Sequence, residues 1–567
     1  MKHQQAIANI AEICARHNLS QVVLSPGSRN APLTLAFSRH PAMNIRVIPD
    51  ERSAGYIALG IAQATGKPVV LICTSGTAVL NYGPAIAEAF YQNVPLLVLT
   101  ADRPPELIDQ RDGQTIRQNQ VFTPHVKESF VLPVAQDHPD VLWDIEWKTN
   151  QAILCCQQEL PGPVHMNIPL REPLYPDSDD NWTYELQHEI TVGNPVQSQI
   201  PKEQWSAITS RIKTSSRPLI VGGQFAYDPQ LVMTLRDLSN YSQIPIIGDA
   251  VSNIQGIENL VKHIETITGQ NEKALSELQP DLIITYGQGV ISKNLKLFLR
   301  AFPATEHIHV QPYGIPANTY KSLTQIVSVD PLSFFKRLAR DITTPVSQSW
   351  YLKWQQQERQ AADFIATQAQ ELGIQEMQAV QKILEHMPEA KLHLANSMPV
   401  RWVDLLGVGP QVRAVWANRG ASGIDGCCST AVGHALEDQH THILITGDMA
   451  FHYDRNAYWH NYPLPNLKII ILNNQGGGIF RLIEGPSSHP ESEEYFVTHQ
   501  KLTAKNTASD FGFTYLYAEN NQELDNLLPQ LFAKQEKACV LEINLPTNAG
   551  PKYRELKERI RDNYERD

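Results

Sequence analysis

Two polar clusters in the last third of the chain have the residue types needed to hold a metal-bound diphosphate. Gly447-Asp448-Met449 follows the apolar run His442 to Thr446, and Asn473-Asn474-Gln475-Gly476-Gly477-Gly478-Ile479-Phe480 follows a second apolar run. Asp448 and Asn474 lie 26 positions apart. That spacing fits one strand–helix–strand crossover, which brings both strand ends to the same edge of a parallel sheet. Mg²⁺ takes octahedral oxygen ligands and needs few from the protein when phosphates supply the rest, so one Asp, one Asn amide oxygen and one backbone carbonyl suffice. Glycines let the backbone approach a diphosphate closely. An Asp after a strand is by itself more often a turn or helix-cap residue. The second strand, the Asn pair and the glycine run favour the clamp.

Other chemistry-bearing residues sit at comparable places. Glu51 stands between the run Ile45 to Ile48 and the small-residue helix Ala54 to Thr65; the helix dipole alone would account for an acid there. Arg29, Arg103, Arg401 and Arg419 fall in Gly- or Pro-marked loops at predicted strand ends rather than on helix faces. One such arginine is ordinary solvated surface. Four in the same kind of place predict an anion-binding cavity, because the guanidinium fork grips carboxylates bidentately. Substrates with several carboxylates are therefore expected. Lys293, shortly after Gly287-Gln288-Gly289, is the candidate contribution of the middle segment, although most lysines of this kind are solvated.

The elements that must position these residues alternate between helix and strand patterns. A helix over Gln4 to His17 precedes strands at Gln21 to Leu24, Ile45 to Ile48, Val69 to Cys73 and Pro95 to Thr100. A second block has strands at Pro218 to Val221, Ile244 to Ile247, Asp281 to Tyr286 and His307 to Val310. The third opens with an amphipathic helix, Met377 to His386, and has strands at Lys391 to Ala395, Val412 to Ala417, His442 to Thr446 and Cys539 to Ile543. The fold class is α/β: three doubly wound parallel-sheet domains over 1–180, 200–342 and 355–567. Looser composition between Pro173 and Trp205, and a break at Thr343 to Gln357, separate them. The tail from Tyr553 to Asp567 reads as a solvated mixed-charge helix. Ligand-facing residues belong at the carboxyl ends of such strands, and the absence of GxGxxG argues against a dinucleotide.

Composition narrows the function classes. A chain of 567 residues exceeds one core, and its 42% hydrophobic and 19% charged content is that of a soluble globular protein. A net charge of −12 argues against nucleic acid as the main partner. No run reaches the roughly 18 apolar residues of a membrane span. Met1-Lys2-His3-Gln4-Gln5 lacks a hydrophobic signal core, and the seven cysteines contain no CxxC, so reduced cytoplasmic thiols are expected.

At the clamp the sequence resembles the thiamine diphosphate (ThDP) enzymes of the decarboxylase-like type, whose signature is Gly-Asp-Gly, a crossover, then Asn-Asn. Met449 stands where the third glycine is usual. The resemblance implies ThDP and Mg²⁺, with Mn²⁺ as an alternative. It implies Asp448, the Asn474 side chain and the Gly476 carbonyl as metal ligands, with Gly447, Ile479 and Phe480 beside the cofactor. Ile424 matches the apolar residue that keeps the cofactor bent. Glu51 matches the catalytic acid that hydrogen-bonds the aminopyrimidine ring. By the same resemblance residues 1–180 bind the pyrimidine and 355–567 the diphosphate. The cofactor then lies between the first domain of one subunit and the last of another, so a homodimer or homotetramer is implied.

A narrower resemblance rests on Ser25-Pro26-Gly27-Ser28-Arg29-Asn30, Asp50-Glu51-Arg52-Ser53, Thr100-Ala101-Asp102-Arg103-Pro104, Asn396-Ser397 with Arg401, and Asn418-Arg419-Gly420-Ala421-Ser422-Gly423-Ile424-Asp425-Gly426. Together these resemble the SEPHCHC synthase branch of the family, of menaquinone biosynthesis, densely in the first and third domains and thinly in the middle one. The branch decarboxylates 2-oxoglutarate and adds the succinyl fragment to isochorismate in a 1,4 sense. The resemblance implies Ser397, Arg401 and Arg419 at the succinyl carboxylate, and Ser28, Arg29, Arg103, Gln114 and Lys293 at isochorismate. Ile479, Phe480 and Ile483 are implied as pocket walls. Gly113 precedes Gln114 where many relatives carry Asn, which leaves the contacts of that loop open. Rival readings are a decarboxylase or acetolactate synthase acting on a monocarboxylic 2-oxo acid, and a non-catalytic binding relative. Simple decarboxylases often use a His-His pair, and none of the 19 histidines adjoins another. No FAD site is evident for an acetolactate synthase, and a non-catalytic relative is expected to lose Glu51 or Asp448, both of which are present.

Overall fold

The computed structural model describes residues 2–134, 138–175, 182–184, 190, 199–483, 485–547 and 549–562. Most of the looser stretch expected after the first domain, and residues 563–567 of the tail, lie outside these. Short apolar runs bounded by Gly, Pro and Asn fold as strands buried on both faces, as parallel sheets require; Val69–Cys73 and Leu96–Asp102 are buried at every position.

Three sheets result. The first contains β1 (Gln21–Leu24), β2 (Asn44–Val47), β3 (Val69–Cys73), β4 (Leu96–Asp102), β5 (Ser129–Val131) and β6 (Val164–Pro169), in the order β2-β1-β3-β4-β6-β5. The second contains β7 (Pro218–Gly222), β8 (Ile246–Gly248), β9 (Leu282–Tyr286), β10 (Glu306–Gln311) and β11 (Gln325–Ser328), ordered β11-β10-β9-β7-β8. The third contains β12 (Ala390–Leu394), β13 (Val412–Trp416), β14 (His442–Gly447), β15 (Leu467–Asn473), β16 (Thr514–Ala518) and β17 (Cys539–Asn544), ordered β13-β12-β14-β15-β17-β16. Strand pairs run parallel in all three. The first and third sheets repeat one topology. In each, the order reverses beside the first strand, at β1/β3 and at β12/β14, and such a switch point opens a crevice at the carboxyl ends of the strands. Strands with no apolar run to announce them, such as β5 and β16, are half-buried sheet edges.

Contacts divide the chain into two compact units. One comprises Met1–Pro195, Asn418–Gln439 and Ala450–Leu467; the other comprises Val196–Ala417, His440–Met449 and Lys468–Asp567. Within the second unit the break expected at Thr343 to Gln357 is instead largely helix, Gln348–Glu371, buried at Trp350, Trp354, Ala361, Ile365 and Ala369. Trp350 and Trp354 enter the core around β7 and β9, while Ile365 and Ala369 enter the core around β12 and β14. One helical stripe thus serves two cores. The tail helix, Ala549–Asp562, is not wholly solvated either, because Leu556 and Ile560 are buried. Among the described residues no helix is long and apolar enough to cross a membrane.

In the first unit the helix Glu51–Thr65 crosses the helix Cys427–Ala435 at two glycines. A Cβ at Gly60 would lie 2.2 Å from the Thr430 carbonyl oxygen, and one at Gly433 would lie 2.3 Å from that of Ile57. Backbone cannot yield as a side chain can, so Gly433→Ala is expected to cost about 1–3 kcal/mol. A lower urea midpoint with an unchanged m-value would show it.

Candidate functional site

In the first unit Glu51 is the first residue of its helix and is half-buried. The N-cap Asp50 accepts from the Ser53 amide at 3.0 Å and, through its second oxygen, from Asn456 Nδ2 at 2.7 Å. Arg52 donates to the Tyr453 carbonyl at 2.6 Å and lies over the Tyr453 ring. Both neighbours of Glu51 are therefore tied down, while its own carboxyl meets Asn81 Nδ2 at 3.4 Å.

The loop Asn418 to Gly426 is built onto the same unit. The amides of Gly420 and Ala421 donate to the buried Glu88 carboxyl at 2.7 and 2.6 Å, and Tyr56 donates to Asp425 at 2.7 Å. Gly426, at φ 72°, lies against the Tyr56 ring where a Cβ would be 2.2 Å from ring carbons. These ties hold Arg419 and Ile424, both half-buried, in place.

The loops after β1 and β4 carry Arg29 and Arg103, whose charges both act on Asp102. Arg103 donates to Ser75 Oγ at 3.0 Å and to the Gln114 carbonyl at 2.7 Å. Arg29 reaches the Leu170 carbonyl and Glu172, each at 3.2 Å. Burial raises the Asp102 carboxyl above its ordinary range, against the opposing pull of Asn167, Arg103 and Arg29. Gln118, which the sequence reading missed, fastens the loop: its Oε1 accepts the Gly76 amide at 2.9 Å and its Nε2 donates to Asn167 at 2.9 Å. Ser28 and Gln114 are exposed, Gln114 at φ 54°.

In the second unit the residues expected to form the clamp lie at the carboxyl ends of the neighbouring strands β14 and β15. Asp448 is 1% exposed, and burial pushes its carboxyl up to about 6. It accepts from Gln500 Nε2 at 2.6 Å and from the amides of Met449 and Gly476. Asn474 is also buried, and its Oδ1 has no hydrogen-bond partner. The Asn474 carbonyl accepts from Arg481, itself paired with Glu493 at 2.8 Å. Gly476 takes φ 145°, where a Cβ would meet the Val497 carbonyl at 2.7 Å; its own carbonyl accepts the Gly478 amide, leaving one lone pair for a cation. A Cβ at Gly447 would face open space. Among the described residues no three His, Cys, Asp or Glu side chains converge on a metal site. The donor set is therefore one carboxylate, an unpartnered amide oxygen and a carbonyl beside an open strand end. That set suits a hard cation which brings phosphate oxygens with it, so the residues fit Mg²⁺ and a diphosphate.

Around the clamp, Ile479 and Phe480 open the short helix Ile479–Leu482; Ile479 packs on the core and Phe480 lies 6.0 Å from Phe496. Ile483 is 37% exposed. Ser397, after β12, holds φ 73°, a strained value for a residue with a side chain. Arg401 lies not in a loop but near the start of the helix Met398–Leu406, which begins directly after Ser397 with Pro399 at its second position. It is exposed and donates to the Ser397 carbonyl at 2.5 Å. Lys293 is the exposed first residue of the helix Lys293–Ala301.

Residues 5–121 match the family model described as "Thiamine pyrophosphate enzyme, N-terminal TPP binding domain". Over nearly its whole length the chain is similar to proteins named 2-succinyl-5-enolpyruvyl-6-hydroxy-3-cyclohexene-1-carboxylate synthase. It is 42% identical to the one from Cytophaga hutchinsonii, covering 99% of this chain and 100% of the relative. Identity is 36% to the one from Desulfotalea psychrophila, covering 96% and 98%, and 35% to the one from Porphyromonas gingivalis, covering 96% and 95%.

Proposed function

The chain belongs to the 2-succinyl-5-enolpyruvyl-6-hydroxy-3-cyclohexene-1-carboxylate synthase family of thiamine pyrophosphate enzymes, and from that premise we propose that it decarboxylates 2-oxoglutarate and adds the succinyl fragment to isochorismate, using Mg²⁺ as well as ThDP. The proposal includes self-association, as a homodimer or homotetramer, and a cytoplasmic setting. One observation carries the metal-dependent part: the buried Asp448 carboxyl and the unpartnered Asn474 oxygen follow neighbouring strands at one sheet edge.

Bound ThDP supplies an electron sink for the pair left behind when CO₂ departs. Asp448, Asn474 and the Gly476 carbonyl hold the metal, and Gly447 leaves room for the diphosphate. Glu51 holds and returns a proton at the pyrimidine side. Ser397, Arg401 and Arg419 orient the distal carboxylate of 2-oxoglutarate, while Ser28, Arg29, Arg103, Gln114 and Lys293 receive isochorismate. Ile479, Phe480 and Ile483 exclude water that would otherwise protonate the reacting carbon.

Mass spectrometry of the product formed from 2-oxoglutarate and isochorismate, with ThDP and Mg²⁺ present or withheld, tests the reading. Pyruvate in place of 2-oxoglutarate should give no adduct; equal turnover of pyruvate would overturn the substrate assignment. Arg103→Lys keeps the charge but loses the planar guanidinium, whose Nη1 donates to both Ser75 and the Gln114 carbonyl and whose fork can grip a carboxylate bidentately. It is expected to raise the KM for isochorismate about 10- to 100-fold, the worth of one charged hydrogen bond, with the KM for 2-oxoglutarate unchanged. Steady-state kinetics with each substrate varied in turn would show the split.

A further inference from the structure

Glu376 is an acid in a place built for an apolar residue. It lies in the first turn of the helix Gln375–His386, is 5% exposed, and shares its face with the buried Ala379, Val380 and Ile383. A carboxyl in such a position needs a hydrogen-bond partner. Glu376 Oε2 accepts from Nδ2 of Asn474 at 3.5 Å. The two ends of an asparagine amide are nearly equal in size and opposite in chemistry, and only the oxygen binds a cation. With Nδ2 turned to Glu376, the oxygen turned the other way is the buried, unpartnered Oδ1. Gly478 closes the remaining side, since a Cβ there would come within 2.4 Å of Nδ2.

We propose that Glu376 is a positioning residue for the metal ligand Asn474: its carboxyl oxygen captures the amide nitrogen and thereby fixes the amide oxygen toward the cation. The inference rests on the metal-clamp reading above. Partners behind the ligands of a metal site orient them, and their loss typically weakens metal binding about 10- to 100-fold.

The test is calorimetric titration of Mg²⁺ into the full-length protein at saturating ThDP, with urea unfolding of each apo variant as the check on folding. Glu376→Leu is expected to weaken Mg²⁺ binding by about 10- to 100-fold, and Glu376→Gln, which keeps an oxygen acceptor, to restore most of it. In an Asn474→Asp background the two ligand oxygens are equivalent and no orientation remains to be fixed. There, Glu376→Leu should weaken Mg²⁺ binding far less than it does beside Asn474. A merely structural role would weaken binding alike in both backgrounds, and Glu376→Met supplies the comparison should the leucine variant not fold. Glu376→Leu binding as the wild type does, or Glu376 variants weakening Mg²⁺ equally in both backgrounds, overturns the inference. A wild-type protein that binds no Mg²⁺ overturns the clamp reading itself and this inference with it.

Discussion

Glu51→Gln is expected to lower kcat by about 10²- to 10⁴-fold, the usual worth of a positioned proton-transfer group, while ThDP binding changes little. The substitution is a clean probe because the surroundings hold without the carboxyl. Asp50 caps the helix through Ser53 and Asn456, and Arg52 is fixed by Tyr453, so the backbone at position 51 does not depend on the side chain it carries. Glutamine keeps the length and the contact with Asn81 but has no proton to exchange. Two measurements separate chemistry from binding. Release of CO₂ from 2-oxoglutarate and deuterium exchange at the thiazolium C2, followed by NMR, should slow together, whereas fluorescence titration with ThDP should give an affinity near that of the wild type. Exchange at the wild-type rate would remove Glu51 from the proton path.

The strand ends were legible because their signal is local. β15 is buried at all seven positions and stops at Asn473, so the Asn pair had to emerge at a sheet edge. Trp350 and Trp354 were hidden by context: they sit in a window rich in Gln and Ser that reads as a break, although their spacing of four is one helical turn. Arg401 was placed in a loop because the Asn-Ser-Met-Pro run looks like punctuation, whereas a proline just inside a helix start is favourable. Glu376 had a readable signal, since helical period puts it on the face of Val380, Ile383 and Leu384, but the helix was expected to begin one residue later, at Met377. Gln500 had no signal at all. It meets Asp448 across 52 positions of sequence, and no local period encodes a contact made by the return of a distant loop.

Asp448→Asn is expected to make the empty protein more stable and the loaded protein less so. Burial lifts the Asp448 carboxyl from its ordinary 3.8 to about 6 in the folded chain. A folded value above the unfolded one means that the folded state holds the proton more tightly. The stability this group contributes is therefore fully present below about pH 4, declines as pH rises, and is gone above about pH 6, a loss on the order of 3 kcal/mol. Burial likewise raises Asp454 to about 7, which cancels in the comparison; it also raises Glu376 to about 7, with a smaller push from the Asp448 charge, so the variant relieves Glu376 as well and the two effects have the same sign. Asparagine carries no charge to bury, so without ligands the variant should match the wild type near pH 4 and unfold at a higher temperature than the wild type at pH 8. Mg²⁺ and ThDP should invert that order. The wild type gains about 4 kcal/mol at a thousandfold excess over Kd, and the variant, lacking the clamp's one anionic ligand, gains far less. Thermal unfolding at pH 8, with and without Mg²⁺ and ThDP, reads both signs in one experiment. If the two proteins keep the same order under both conditions, the carboxyl at position 448 is not the group through which the cation binds.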